Sequence, residues 1–147
     1  MKRIFVTAIL AVVTVVMYAQ FQAIGLRLAH GAEVSAQIGI EPFRLEADLG
    51  VDMDVHQSNL DLTLTAQLVN DLSKGFKFYY GLGGTADFDF GLGVSIGPAA
   101  IGGFEYNFRF PLQLFMDYRP AIILISNNYR FGSFEAFNFG IGGRYTF

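Results

Sequence analysis

Cysteine is absent from this 147-residue chain, and charged residues are scarce, at 16% against about a quarter in soluble domains. The lack of cysteine excludes a thiol nucleophile, a lipid-modified cysteine anchor, a disulfide framework and a thiolate metal site. The formal net charge is −3, whereas nucleic-acid binding needs a basic stripe on the protein surface. We therefore expect no nucleic-acid partner.

Long apolar runs are also missing after residue 19, although 52% of the chain is hydrophobic. The longest candidate, residues 92–104, is interrupted by four glycines and Pro98, whereas a membrane-spanning helix needs about 20 predominantly apolar residues. The hydrophobic residues must therefore be distributed over short segments. With 17 glycines, 16 phenylalanines and seven tyrosines, these segments are expected to be strands joined by turns, and the length suits a single domain.

The first nineteen residues have the organisation of an export signal. Lys2 and Arg3 precede an apolar run over residues 4–17, which ends at Tyr18-Ala19-Gln20. We expect residues 1–19 to be a cleaved signal peptide, with an uncleaved N-terminal anchor as the alternative. Residues 20–147 are then the mature domain beyond the inner membrane, and the loss of Lys2 and Arg3 changes its net charge from −3 to −5.

From residue 23 onward, apolar and polar residues alternate with the period of two that a half-buried strand requires. In residues 43–52, one face is wholly apolar and the other carries four charges and a glycine. Eight segments follow this pattern, and none has a charge on its apolar face: 24–30, 34–40, 43–52, 60–68, 76–83, 104–109, 112–119 and 137–147. The chain is therefore predicted to be all-β, an eight-stranded antiparallel up-and-down barrel.

The parity of the apolar positions, that is, whether their residue numbers are even or odd, also predicts two turns. The apolar face changes from even to odd numbers between Ile40 and Phe43, which requires an even loop and so a two-residue turn at 41–42. The apolar positions keep even numbers from residue 104 to 118, which fits a three-residue turn at 109–111 that pairs Phe108 with Leu112. A turn is favoured over one long strand because a proline at 111 cannot donate to a central ladder. The other connections are expected at 30–32, 53–59, 69–75, 88–98 and 121–133, and Ile101, on the polar parity, predicts a bulge.

Alternation alone does not separate a membrane barrel from a soluble, lipocalin-like barrel, whose apolar face points inward. About thirty apolar side chains would crowd an eight-stranded interior, which side chains or one small ligand already fill. We therefore expect a transmembrane barrel whose apolar face meets lipid. The predicted outward residues include Leu62, Phe78, Tyr106, Leu114 and Phe139, and the predicted inward residues include Arg44, Glu46, Asp61, Glu105 and Arg144. The predicted interior balances six basic residues, Arg27, Arg44, Lys77, Arg109, Arg119 and Arg144, against seven acidic ones, Glu33, Glu46, Asp48, Asp61, Asp87, Glu105 and Asp117.

The chain ends in Arg144-Tyr145-Thr146-Phe147, which resembles the terminal-strand signal that the barrel-assembly machinery reads in outer-membrane barrels. Several further stretches resemble small OmpX-like outer-membrane β-barrel proteins of Gram-negative bacteria: residues 24–28, 31–35, 44–50, 104–108, 111–114 and 117–120. The resemblance implies an eight-stranded barrel in the cell outer membrane, recognition of Phe147 by the assembly machinery, and no known catalytic residues.

Three motifs could carry chemistry. The glycine-rich stretch at residues 81–86 mimics a dinucleotide fingerprint, but no helix is predicted after it to hold a pyrophosphate. Asp52-x-Asp54-x-His56 offers hard ligands at alternate positions for Ca²⁺ or another divalent ion, although a solvated acidic loop is the favoured interpretation. His56-Gln57-Ser58 resembles the base and nucleophile of outer-membrane lipid A deacylases, but no glutamate stands in an evident position to orient His56. We expect no catalytic, cofactor or metal site.

The favoured function is a non-enzymatic, monomeric outer-membrane protein that contacts membrane lipid. Its filled interior would conduct little, its loops would contact surface partners, and its tyrosines and phenylalanines would form interfacial girdles. The alternatives are a lipid-modifying enzyme that uses His56 and Ser58, and a secreted lipocalin-like protein that binds a hydrophobic ligand.

Overall fold

The computed structural model describes residues 20–54, 57–89, 93–126 and 133–147; the predicted signal peptide lies outside these ranges. The regular elements of these ranges are eleven β-strands: β1 (Gln20–Leu28), β2 (Gly31–Ile40), β3 (Phe43–Asp54), β4 (Gln57–Ser73), β5 (Phe76–Asp89), β6 (Gly93–Asn107), β7 (Gln113–Tyr118), β8 (Ala121–Ile123), β9 (Ile125–Ser126), β10 (Ser133–Glu135) and β11 (Phe139–Thr146). The described part of the chain contains no helix of the length and hydropathy needed to cross a membrane.

The strands close into one antiparallel barrel. Each strand from β1 to β6 pairs with the next, and β6 then pairs with β7, β8 and β9 in turn. β11 closes the wall, because it pairs with β7 on one side and with β1 on the other, while β10 pairs with β8. The pieces β7 to β9 occupy one position in the wall and β10 with β11 occupy the next, so the barrel has eight strands, as predicted.

Both turns predicted from parity are confirmed. Ile40 lies opposite Phe43 across residues 41–42, and the amide of Phe108 donates to the carbonyl of Leu112 at 3.0 Å across residues 109–111. These turns and the one at residues 74–75 lie at the same end of the barrel as Gln20 and Phe147, which we call the terminal end. The opposite end, with the β1–β2, β3–β4 and β5–β6 connections, is called the distal end.

The loops predicted at 53–59, 69–75 and 88–98 are too long. β3 and β4 stay paired up to Asp54 opposite Gln57, and β5 and β6 up to Asp89 opposite Gly93. β4 continues to Ser73, with a register shift between Asp71 and Ser73. Polar residues take over where the apolar alternation stops, but the backbone ladder continues because it does not depend on side-chain polarity.

Ile101 does not mark the bulge that its position predicted. The register of β5 and β6 is continuous through the pair Gly81–Ile101, and Ile101 points inward, 4% exposed. The inward row of β6 therefore holds apolar side chains at both Ala99 and Ile101.

The two faces of the wall have the predicted polarity. Phe139, Tyr106 and Leu114 lie exposed on the outer face, and Leu62 and Phe78 are half-buried on the same face between exposed apolar neighbours. Arg44, Glu46, Glu105 and Arg144 are buried inside, and Asp61 is partly buried inside. Aromatic pairs are concentrated on the outer face toward the terminal end: Phe76–Phe104, Phe78–Phe104, Tyr106–Phe108, Phe108–Phe110 and Tyr145–Phe147.

Candidate functional site

Of the arginines in the described ranges, four are buried at the centre of the barrel: Arg27 on β1, Arg44 on β3, Arg119 directly after β7, and Arg144 on β11. Each continues the inward positions of the strand that carries or precedes it. The alternation that points leucine and phenylalanine outward therefore points these guanidinium groups toward the barrel axis. A buried arginine is costly unless its charge is paired and its donors are satisfied. The chemistry of this interior therefore depends on what the arginines contact.

Arg27 connects three wall strands toward the distal end. Its Nη1 lies 2.7 Å from Glu33 Oε1, and its Nη2 lies 2.7 Å from Asp117 Oδ1. The same Nη2 donates to Asn138 Oδ1 at 3.0 Å. These contacts cross-link β1, β2, β7 and the segment that enters β11.

Arg119 and Arg144 converge on one carboxylate. Glu46 Oε1 accepts from Arg144 Nη2 at 2.6 Å and from Arg119 Nη2 at 3.0 Å. Glu46 Oε2 accepts from the side-chain amides of Gln37 and Gln67. Each carboxylate oxygen of Glu46 therefore accepts from two donors, and Glu46 is the hub of the interior network.

Arg44 forms a second cluster nearer the terminal end. Its Nη1 lies 2.7 Å from Glu105 Oε2, its Nε and Nη2 donate to Gln67 Oε1, and its guanidinium lies 4.8 Å from the ring centre of Tyr79. The Arg144 guanidinium lies 3.4 Å from the ring centre of Phe115, so aromatic faces add to the stabilisation of both cations. Because Gln67 also donates to Glu46, the two clusters form one network.

Fewer charged residues are buried inside than predicted. In the described ranges, five carboxylates are buried with the four arginines: Glu33, Glu46, Asp48, Glu105 and Asp117. Arg109, predicted inside, is exposed at the turn between β6 and β7, because the strand ends before it. Lys77 is only half-buried, with its Nζ 3.3 Å from the exposed Asp71 carboxylate.

Asp48 is the least satisfied member of the network. Its Oδ2 lies 2.9 Å from Arg119 Nη2, yet neither of its oxygens accepts a hydrogen bond of good geometry within the described ranges. Arg119 Nε also lacks an acceptor there. The hydrogen bonds of the network are therefore accepted mainly by Glu46, Glu33 and Asp117.

Two cavities flank this network. The distal cavity, of about 430 Å³, reaches Glu33 and Asn138, which contact Arg27. The terminal cavity, of about 450 Å³, reaches Arg44, Glu105 and Gln113. The arginine network thus lies between the two cavities along the barrel axis.

The three motifs that the sequence analysis considered as possible sites belong to the distal end or to the barrel wall. Asp54 pairs with Gln57 and Met53 with Ser58 at the tip of the β3–β4 hairpin. His56, which belongs to both the cation motif and the deacylase motif, lies outside the described residues. Within the described ranges, no three His, Cys, Asp or Glu side chains are grouped to hold a metal. The glycine-rich stretch at 81–86 is part of β5, which continues as strand to Asp89.

The sequence did not identify the two cavities or the partners of each arginine. Tyr79 and Phe115 carried a signal, because both stand on the polar parity and both are buried inside. Tyr79 donates its hydroxyl to Asp117 Oδ2 at 3.3 Å. An aromatic residue on the polar face therefore indicates a neighbouring guanidinium or carboxylate in this barrel.

No protein-family model matches the chain, and no curated protein matches it either. Among solved structures, the chain is similar to the crystal structure of Neisserial surface protein A, with a TM-score of 0.61 and 17% sequence identity. The match covers 86% of this chain and 94% of that chain. At this identity the similarity concerns the fold, which is the closed eight-stranded barrel of outer-membrane proteins.

Proposed function

We propose that this chain is an integral outer-membrane protein of the OmpX-like kind, non-enzymatic and monomeric, with an interior closed to ions. The observation that carries the proposal is the inverted polarity of the wall. Among the described residues, twenty-eight large hydrophobic side chains are exposed, while the arginine–carboxylate network is buried. An apolar surface of this extent exceeds the patches of a few hundred Å² that soluble monomers expose, so lipid is the medium that fits it.

The same polarity opposes a soluble hydrophobic-ligand binder. A lipocalin-like barrel needs an apolar interior for its ligand, and here the axis is filled by guanidinium, carboxylate and amide groups. The proposed orientation puts the terminal end in the periplasm, so that both chain ends and the short turns lie on that side. Residues 1–19 would supply the export signal.

Two measurements test the proposal. Membrane fractionation should recover the mature protein in the outer membrane, and purification should require detergent. In planar bilayers the purified barrel should give only slight conductance, because the Glu46 hub blocks the axis. Recovery as a detergent-free soluble protein, or a large and stable porin-like conductance, would contradict the proposal.

A further inference from the structure

The barrel wall is lower at the first hairpin than elsewhere at the distal end. β1 ends at Leu28, whose partner on β11 is Ile141, and the chain turns back through residues 29–30. Residues 136–138 and β10 run on beyond that point. β10 pairs with β8 on one side, and within the described ranges no strand pairs with its other side. In the wall formed by the described residues, a notch therefore opens between β10 and the β2–β3 pair.

The distal cavity opens through this notch. Its lining includes Val51, Phe134 and Phe137, which are exposed on the outer, apolar face. It also includes the inward groups Glu33 and Asp61. One continuous space of about 430 Å³ therefore joins the lipid-facing surface to a polar, acidic interior, and this volume lies within the range of small-molecule sites.

The polar part of the cavity contains side-chain oxygens that accept no hydrogen bond from the described residues. Asp61 Oδ1 accepts from the hydroxyls of Thr85 at 3.0 Å and Thr63 at 3.5 Å, while its Oδ2 has no hydrogen bond among the described residues. Asn59 Oδ1, in the same wall, is buried without a partner there. No arginine or lysine of those ranges lies within ion-pair distance of Asp61, in contrast to Glu33, which two arginines engage.

We propose that the distal cavity binds an amphipathic cation, a molecule in which a protonated amine is joined to an alkyl or aromatic portion. The ammonium donates to Asp61 Oδ2 and to the side-chain oxygen of Asn59. The apolar portion leaves through the notch between Val51 and the pair Phe134 and Phe137. An anionic amphiphile of the same length is rejected, because its head would face Glu33 and Asp61 at close range.

The absence of tryptophan makes a direct binding assay available. Phe137→Trp puts a single fluorophore at the notch and keeps an aromatic side chain there. The protein is reconstituted in zwitterionic phosphocholine nanodiscs and titrated with 11-bromoundecylammonium, whose bromine quenches tryptophan on contact. The matched probe is 11-bromoundecyl sulfate. A second reporter, Phe110→Trp at the terminal end, measures quenching that comes from partition into the bilayer alone.

We expect saturable quenching of the Phe137→Trp reporter by the ammonium probe and only linear quenching by the sulfate. In that background, Asp61→Asn should weaken ammonium binding at least tenfold and Asn59→Asp should tighten it several-fold, while Asp71→Asn at the terminal end should leave it unchanged. Heat-modifiable gel mobility checks that each variant is folded. Equal saturation by both probes, the same quenching at both reporters, or no effect of the Asp61 and Asn59 substitutions would overturn the proposal.

Discussion

Glycine has two different roles in β11, according to the face that it occupies. Gly140 points inward, and a Cβ built there would collide with Cζ, Nε and Nη2 of Arg27. Arg27 cannot move aside without breaking its ion pairs with Glu33 and Asp117. Gly143 points outward, and its Cβ would lie 3.5 Å from Leu114 Cδ2, an ordinary contact.

Gly140→Ala should therefore destabilise the barrel by about 1–3 kcal/mol, the usual range for overpacking. Gly143→Ala, on the same strand and of the same chemistry, should be nearly neutral. The measurement is the free energy of unfolding in lipid vesicles by urea titration. Equal effects of the two substitutions would mean that Arg27 yields its position easily.

Glu46 provides the sharpest residue-scale test of the network. Glu46→Gln removes the charge that Arg119 and Arg144 share, and breaking a buried ion pair from one side costs about 3–5 kcal/mol. Glu41→Gln, at an exposed turn, should change the free energy of unfolding by less than about 0.5 kcal/mol. Similar unfolding curves for both variants would show that the interior charges are compensated in another way.

At the scale of the elements, the alternation of apolar and polar residues predicted the tight turns but not the ends of the strands. Parity gave the turns at 41–42 and 109–111, because opposed residues in an antiparallel pair share a face. It could not give the extent of β4 and β5, since backbone pairing continues through Asn59 opposite Asp89 without apolar alternation. The partners of Arg27 were also inaccessible, because strand tilt brings together residues 90 positions apart, such as Arg27 and Asp117.

The seam between β6 and β8 has few ladder pairs. β6 pairs with β8 only at Ala99 opposite Ala121, and Pro98 and Pro120 on either side supply no amide hydrogen. The neighbouring seam of β5 with β6 is paired continuously from Phe76 to Asp89.

The amides of β8 should therefore exchange with solvent at least tenfold faster than those of Gly83 and Thr65, which are successive partners of Ala99 across the wall. Fewer ladder bonds lower the free energy of local opening. Hydrogen exchange followed by NMR in micelles measures both sets in one sample. Equal protection would show that the seam opens only with the whole barrel.

Closure of the barrel depends on the last strand. The amide of Phe147 donates to the carbonyl of Gln22 at 3.0 Å, and Ile24 lies opposite Tyr145. If the assembly machinery recognises this aromatic residue, Phe147→Ala should reduce the amount of folded barrel in outer membranes several-fold. Refolding of the same variant in detergent should change little, and Phe110→Ala, another exposed aromatic at the terminal end, should assemble normally. Normal assembly of the Phe147 variant, detected by heat-modifiable mobility, would remove this role.

At the scale of the whole molecule, side-chain volume decided which face points outward. An eight-stranded interior cannot hold the apolar set, and the buried arginines and exposed leucines agree with that reasoning. The two cavities could not be predicted in this way, because they depend on the unequal heights of the hairpins and on where the arginines meet.

The same polarity predicts how the barrel responds to a charge on its outer face. Leu64 and Leu72 lie on the same strand, with similar exposures of 54% and 56%, but Leu72 is close to the turn at the terminal end and Leu64 is well inside the strand. In a bilayer, Leu64→Arg should cost about 2–4 kcal/mol of unfolding free energy, whereas Leu72→Arg should cost about 1 kcal/mol or less, because the cost falls toward the interface. Both are measured in phosphocholine vesicles. If the outer face met water instead of lipid, neither arginine would be penalised, so a small and equal effect at the two positions would exclude the membrane as the medium of this wall.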